Sequence, residues 1–336
     1  MKKNKPRVCI IILNWNGWKD TIECLESLYQ IEYDNFMVLL IDNHSADESI
    51  NMIRNYTEGK LEVQSKFINY SNNNKPIKTY EFTNEEAEKV KFNRPELYKT
   101  LIIIKNDKNY GFAEGNNIGI RFALNCIIPQ YILLLNNDTI VDPLFLDELI
   151  IAAESDPKIG IIGPIIYYYD YYGRHDVVWF SGGEINWCKY PGYHHMTKSL
   201  TNSNGYRECD WVSGAALMMN TKRVNRVELN REFHFDCEDV DYCLNELKHG
   251  LKAVVVLNAK IWHKIGVSRR KRYSYMINGK IRDELTNFKL IKIHNRFYVL
   301  FTPIYIVQMV SHYTTTIFKI LIKKLYRFLF SYLRSW

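Results

Sequence analysis

At 336 residues, 47% hydrophobic and 24% charged, the chain can bury one large or two modest cores, and is neither a disordered tail nor a disulfide-stapled miniprotein. Its seven cysteines are an odd number without a Cys-x-x-Cys pair, which argues against both a disulfide framework and a zinc knuckle. The net charge of +7 hides an asymmetry: from residue 264 onward Lys and Arg are opposed only by Asp283 and Glu284, so a basic tail follows an acidic body.

In chain order, basic residues 1–7 run straight into a short apolar strand at 8–13. That run is too short for an export signal and lacks a small-residue cleavage site, so a reducing cytoplasm is the expected home. Further strands are expected at 36–41, 101–105 and 131–135. A helix over 20–29 places Ile22, Leu25, Leu28 and Tyr29 on one face, completing a right-handed βαβ unit of a mostly parallel open sheet flanked by helices. Residues 57–100 are polar, interrupted by Pro76 and Pro95, and read as an excursion outside the sheet. A helix at 143–154, strands at 159–169 and 212–220, a helix at 238–249 and a strand at 253–257 follow. Beyond Gly266 the pattern is helical.

Ligands of open parallel sheets sit beyond the carboxyl ends of strands, so the polar strings that stop each apolar run carry information. The first strand ends in Asn14-Trp15-Asn16-Gly17, the second in Asp42-Asn43-His44-Ser45 and the fourth in Asn136-Asn137-Asp138. Each alone also suits ordinary turn chemistry; three at equivalent positions point to a site. Between the third and fourth strands, the string from Asn109 to Gly119 is rich in Gly and Asn and opens a helix. It suits either close approach of backbone to a phosphate or tight helix packing. It is not a dinucleotide fingerprint, and no P-loop string occurs. The densest acidic cluster, Asp236-Cys237-Glu238-Asp239-Val240-Asp241, starts a helix, where acids oppose the dipole. Four acids in six residues exceed that need, and one facing a cleft can accept a proton from an alcohol. His263 follows a strand and, brought to Asp138 by the fold, would complete a site for a divalent ion holding phosphate oxygens.

Taken together, NWNG, IDNHSADES, NYGFAEGNNIG, LLLNNDT, WFSGGEINW, DWVSGAALM, FDCEDVDYC and AKIWHKIGVS resemble the inverting glycosyltransferases of family 2, in their rhamnosyltransferase-like branch, over about residues 7–268. The resemblance implies a GT-A domain over 1–265, with a nucleotide-binding half (1–138) and an acceptor half (139–265). It implies donor contacts from Trp15, Asn16, Asp42, Asn43, Gly111, Asn117 and Asn137, a Mg²⁺ or Mn²⁺ ion held by Asp138 and His263, and Asp239 as the base. Trp211, Glu238 and Asp241 fall on the acceptor side. Asn136 replaces the first acid of the family's Asp-x-Asp, which bears on metal dependence. The implied activity moves one sugar from a nucleotide-sugar donor, dTDP-rhamnose favoured, to a lipid-linked or polysaccharide acceptor. The competing reading is a catalytically silent nucleotide-sugar-binding or scaffold protein on the same fold.

The tail, residues 266–336, is basic and aromatic. Residues 297–318 carry no formal charge and reach the length of a membrane span, but Pro303, Gln308 and His312 make a poor one. Helices lying on an anionic membrane surface, at the inner face of the plasma membrane, are favoured; a helical region that forms a homodimer is the alternative, and nucleic acid is not expected as a partner.

Overall fold

The computed structural model describes residues 5–90, 98–188, 193–195, 205–233 and 237–265, together with 286–287, 289–295, 302–303 and 305–308. The chain divides into two compact units, one of residues 1–184 and 195–276, the other of 185–194 and 277–336.

Strands of the first unit are β1 (Val8–Asn14), β2 (Phe36–Asp42), β3 (Thr79–Thr83), β4 (Leu101–Lys105), β5 (Tyr131–Asn136), β6 (Thr139–Val141), β7 (Ile159–Tyr168) and β8 (Val178–Phe180). After β9 (Gly183–Ile185) and β10 (Tyr193–His195), which lie outside the main sheet, come β11 (Tyr206–Cys209), β12 (Ala216–Asn220) and β13 (Lys252–His263). The helices are α1 (Trp18–Leu28), α2 (Ser49–Thr57), α3 (Asn84–Lys89), α4 (Gly111–Phe122), α5 (Phe145–Ser155) and α6 (Glu238–Lys248). The main sheet runs β11-β13-β7-β12-β5-β1-β2-β4-β3, with β6 added to β13 and β8 to β7. It is the expected mostly parallel α/β sheet: β5, β1, β2, β4 and β3 form one parallel block, while β12 is antiparallel to both β5 and β7.

The central strands form because their sequences are near-continuous β-branched and leucine runs, VCIIIL, FMVLLI, LIII and YILLL, which suit strands covered on both faces. Val8 to Ile12 and Val38 to Ile41 are fully excluded from solvent. At about 1.5–3 kcal/mol for each such side chain removed from water, these strands anchor the core. The register sets Asn14 beside Asp42 and Leu13 beside Asn136, so the polar residues ending each strand emerge level, on one edge. Helix α4 lies tight on β1 because Gly115 and Gly119 have no Cβ; one built there would sit 2.7 Å from Leu13 and 2.8 Å from Ile11. Helix packing therefore accounts for two glycines of the Gly-Asn string.

Three expectations change. Residues 57–100 are not wholly an excursion: β3 joins the sheet as an edge strand parallel to β4. It escaped notice because Thr79 to Phe82 are only half buried, as edge positions are. The segment is tied to α1 by Glu26, fully buried, which accepts from Lys75 at 2.9 Å, from the Tyr56 hydroxyl at 2.8 Å and from the Ser71 amide at 2.9 Å. The strand expected at 212–220 starts only at Ala216, because the preceding residues bend toward α6. The strand expected at 253–257 continues to His263 as one 12-residue strand, with a register shift between Val256 and Lys260.

In the second unit, Leu290, Ile291 and Tyr305 are buried, and the Tyr305 hydroxyl accepts from Asn295 Nδ2 at 3.0 Å and donates to the Trp187 carbonyl. Ile293, Ile306 and Val307 are exposed. Among the described residues no helix is long and apolar enough to cross a membrane; most of the uncharged stretch at 297–318 and the basic residues after it lie outside them.

Candidate functional site

On the parallel half, the strand exits are closed into a hydrogen-bonded frame. Asn14 Nδ2 donates to Asp42 Oδ1 at 2.8 Å and to Ser45 Oγ at 3.1 Å, and Ser45 donates to Asp42 through both its hydroxyl (2.6 Å) and its amide (3.0 Å). Asn16, at φ +50, receives the Ala46 amide on its side-chain oxygen at 2.8 Å and donates its own amide to Ser45 at 2.9 Å. Trp15 between them is held outward and is 47% exposed. Asn43 is buried and all its polar atoms are engaged: Nδ2 donates to Asn109 Oδ1 (2.9 Å) and the Gly111 carbonyl (3.1 Å), while Oδ1 accepts from Asn106 and from the Tyr110 amide. It fixes the loop that opens α4, where Gly111 adopts φ +78, a conformation glycine takes without strain.

Asn117, expected as a donor contact, is fully buried instead. Its amide exchanges a pair of hydrogen bonds with the Leu229 backbone, accepting at 2.7 Å and donating at 2.9 Å. It clamps α4 to the segment between β12 and α6, so its influence on a ligand is indirect.

At the carboxyl end of β5, Asn137 donates to Thr21 Oγ1 at 3.0 Å, and Thr21 donates to Asn14 at 2.8 Å. The next residue, Asp138, precedes the short strand β6, which pairs antiparallel with the end of β13 so that Thr139 lies opposite His263. This topology brings together two residues 125 positions apart in the chain. His263 Nε2 stands 3.1 Å from Asp138 Oδ1, and both side chains are about nine-tenths buried. Among the described residues, His263 Nδ1 is buried with no hydrogen-bond partner. The Lys264 amide donates to the Asp138 carbonyl at 2.9 Å, and its ammonium lies between Asp20 (2.7 Å) and Glu23 of α1. Burial alone would lower the Lys264 pKa, but the Asp20 and Glu23 carboxylates outweigh it and raise it. Burial, then Glu23, pushes the Tyr169 phenol up to about 12, so it donates to Glu23 at 2.9 Å at neutral pH. The pair thus sits on a charged, fixed floor.

The acidic string divides its labour. Asp241 is buried and ion-paired with Arg226 at 2.9 Å. Glu238 is also buried. Asp239 lies in the first turn of α6, accepts the Gly214 amide at 2.7 Å and its successor's amide at 2.8 Å, and is only partly covered. Trp211 is no surface contact. It is buried against Phe180 with ring centroids 5.0 Å apart, and a Cβ on Gly183 would meet its ring at 1.9 Å. Sequence reasoning did not single out Asn14, Thr21 or Ser45; the places of Asn14 and Ser45 in the first and second polar strings hinted at their roles.

An oxygen and an imidazole nitrogen suit a borderline divalent cation. Among the described residues no group of three His, Cys, Asp or Glu side chains could hold a metal ion; Asp138 and His263 would supply two ligands, and Mg²⁺-type sites take their other positions from water and phosphate oxygens. The nitrogen that faces Asp138 Oδ1, at 3.1 Å, is His263 Nε2, so these two atoms are the ones such an ion would engage.

The sequence profile described as "Glycosyltransferase like family 2" matches residues 6–284. Among solved structures, GalNAc-T7 with UDP, GalNAc and Mn²⁺ is similar at TM-score 0.53 and 13% identity, over 78% of this chain and 44% of that one. The mannosyltransferase PcManGT from Pyrobaculum calidifontis, in complex with GDP-Man and Mn²⁺, is similar at TM-score 0.52 and 15% identity, over 90% and 69%. The chain therefore spans less than half the length of the first of these. No curated protein sequence matches it. The shared architecture is the GT-A fold.

Proposed function

The chain belongs to the family described as glycosyltransferase like family 2, and from that premise we propose that it is an inverting transferase. It moves one sugar from a nucleotide-sugar donor, dTDP-rhamnose favoured from the SGGEINW and EDVD strings, to a lipid-linked or polysaccharide acceptor. The observation that carries this reading is the buried Asp138 and His263 pair, 3.1 Å apart at the carboxyl edge of the sheet. Trp15 offers an exposed ring for the base, and the Asn14, Asp42 and Ser45 frame holds the strand exits rigid beneath it. A divalent ion on Asp138 and His263 would neutralise charge on the departing diphosphate. Asp239 accepts the acceptor hydroxyl's proton as that oxygen attacks the anomeric carbon and the bond to diphosphate breaks on the opposite face. One displacement inverts the configuration. The Mn²⁺ and nucleotides in the two similar structures support a divalent ion.

The experiment is a donor screen by thermal shift with Mn²⁺, where a true donor at a hundred times its Kd stabilises by about 2.7 kcal/mol, followed by anomeric analysis of the product. Retention of configuration, or no transfer and no hydrolysis from any stabilising donor, overturns the proposal. The basic tail serves to hold the enzyme at an anionic membrane surface on the cytoplasmic side. The exposed Ile293, Ile306 and Val307 support this. Release by high salt or alkaline carbonate is expected; retention through both washes, or a dimer that ignores anionic vesicles, contradicts it.

A further inference from the structure

The ribbon after β7 breaks a local rule. Tyr171 and Arg174 form an isolated antiparallel bridge and exchange backbone hydrogen bonds at 2.9 and 3.1 Å. The two residues between them, Tyr172 and Gly173, take φ +54 and +82. Positive φ at both central positions is the signature of a two-residue type I′ hairpin, whose first position favours Asn, Asp or Gly. A bulky aromatic in that conformation is an outlier. Burial does not compensate it, because Tyr172 is 93% exposed. Strain kept at an exposed tip, with no packing to require it, is the kind of departure that marks a functional position.

The tip also does not stand alone. The Tyr172 ring meets Tyr171 edge-on at 5.1 Å, and Tyr171, 41% exposed, meets Tyr168 at 4.9 Å. Tyr168 is the register partner of His263 across the ladder of β7 and β13, and Trp179 of β8 lies edge-on to His263 at 5.2 Å. Tyr168, Tyr171 and Tyr172 therefore form a run of rings that reaches solvent from the strand position beside His263. The charges along it are balanced: Arg174 pairs with Asp176 at 3.0 Å and Lys66 with Asp170 at 3.4 Å. An anionic membrane surface or a phosphate would call for excess Lys and Arg. Rings with an apolar face and a hydroxyl, among balanced charges, suit a neutral polyhydroxylated ring that offers C–H groups on one face and hydroxyls at its rim.

We propose that Tyr168, Tyr171 and Tyr172 form a stacking platform for the acceptor glycan, binding sugar units beyond the one that is glycosylated. This rests on the transferase reading of the site. The test uses the full chain in three measurements: thermal protection by nucleotide diphosphates with Mn²⁺, binding to an array of short neutral rhamnose, galactose, glucose and N-acetylhexosamine oligosaccharides, and binding to phosphatidylglycerol vesicles. The wild type is expected to bind a subset of the array. Tyr172→Asn and Tyr171→Ala should weaken that binding by about tenfold or more, and Tyr172→Phe should keep it. Nucleotide protection should be unchanged, and Tyr172→Asn should melt no lower than wild type, because Asn suits the turn. Array binding untouched by these variants, or no array binding while nucleotide protection is intact, overturns the platform alone. Loss of vesicle binding in place of sugar binding assigns the tip to a membrane and overturns it too. Absence of nucleotide protection in the wild type removes the transferase reading and the platform with it.

Discussion

The two halves of the main sheet handle polar groups in opposite ways. On the parallel half, Asn14, Asn43, Asp42 and Ser45 are hydrogen-bonded largely to one another and to the loops they hold, so the side chains act as a frame. On the mixed half, Asp239 accepts from two backbone amides and, among the described residues, His263 Nδ1 has no hydrogen-bond partner; under the proposed function these are the side chains assigned to chemistry. Removing a reactive group should therefore cost turnover and spare the fold. Removing a frame residue should cost stability and binding together.

The sharpest form of that contrast is Asp239→Asn. The amide oxygen can still accept the Gly214 N–H, but it cannot take a proton, and general-base catalysis is worth about 10²- to 10⁴-fold. Turnover under chemistry-limited conditions should fall within that range with nucleotide binding unchanged and only a small loss of stability, since the amide can accept from Gly214 or from Val240 but not from both. More than a tenth of wild-type turnover would move the base to another residue. Asp241→Asn, by contrast, breaks the ion pair between buried Asp241 and partly exposed Arg226 and should appear first as lost stability in denaturant titration.

On the framing side, Asn43→Ala removes the partner of the buried Asn106 amide and of the partly covered Tyr110 amide and Gly111 carbonyl, while Asn109 keeps the Gly111 amide. Each buried polar group left unpaired costs about 1–3 kcal/mol. Chemical denaturation should show at least one such loss, and donor affinity should fall with it. A variant as stable as wild type but unable to bind donor would make Asn43 a direct contact and blur the comparison.

How much of this was legible in the sequence follows the same division. Strands β1, β2, β4 and β5 announce themselves as unbroken apolar runs because they are buried on both faces, and the polar strings at their ends mark the site edge. Strand β3 did not, since an edge strand keeps polar residues and its pairing with β4 is a tertiary fact. Asn117 looked like a ligand contact because Asn in a Gly-rich helix start suits that role; its partner, Leu229, is 112 residues away and no local pattern reveals it. Thr21 was hidden inside a helix for the same reason. His263 and Asp138 were found as separate strand-exit residues, and it is β6, too short to notice at three residues, that joins them.

The smallest expected effect lies at the sheet edge. Glu81 of β3 has its pKa lowered, chiefly by the hydrogen bond from Arg54. A carboxylate depressed in the folded state contributes stability above its unfolded pKa and loses it as pH falls through the folded value. Glu81→Gln should therefore narrow the gap between stability at neutral and at acid pH. The change should stay within about 1 kcal/mol, because the pair is partly exposed. A variant with the wild-type acid profile would remove β3 from the electrostatic account.

Under the proposed function, Asp138 and His263, joined by β6 and β13, hold the ion that holds the diphosphate. Calorimetric titration of nucleotide diphosphate into wild type, Asp138→Ala, His263→Ala and Asp239→Asn, each with Mn²⁺ and with chelator, tests it most directly. Mn²⁺-dependent affinity should be present in wild type and Asp239→Asn and absent in the other two, with all four alike in chelator. Equal affinity with and without Mn²⁺ in the wild type, or Mn²⁺-dependent binding that survives in His263→Ala, would contradict it.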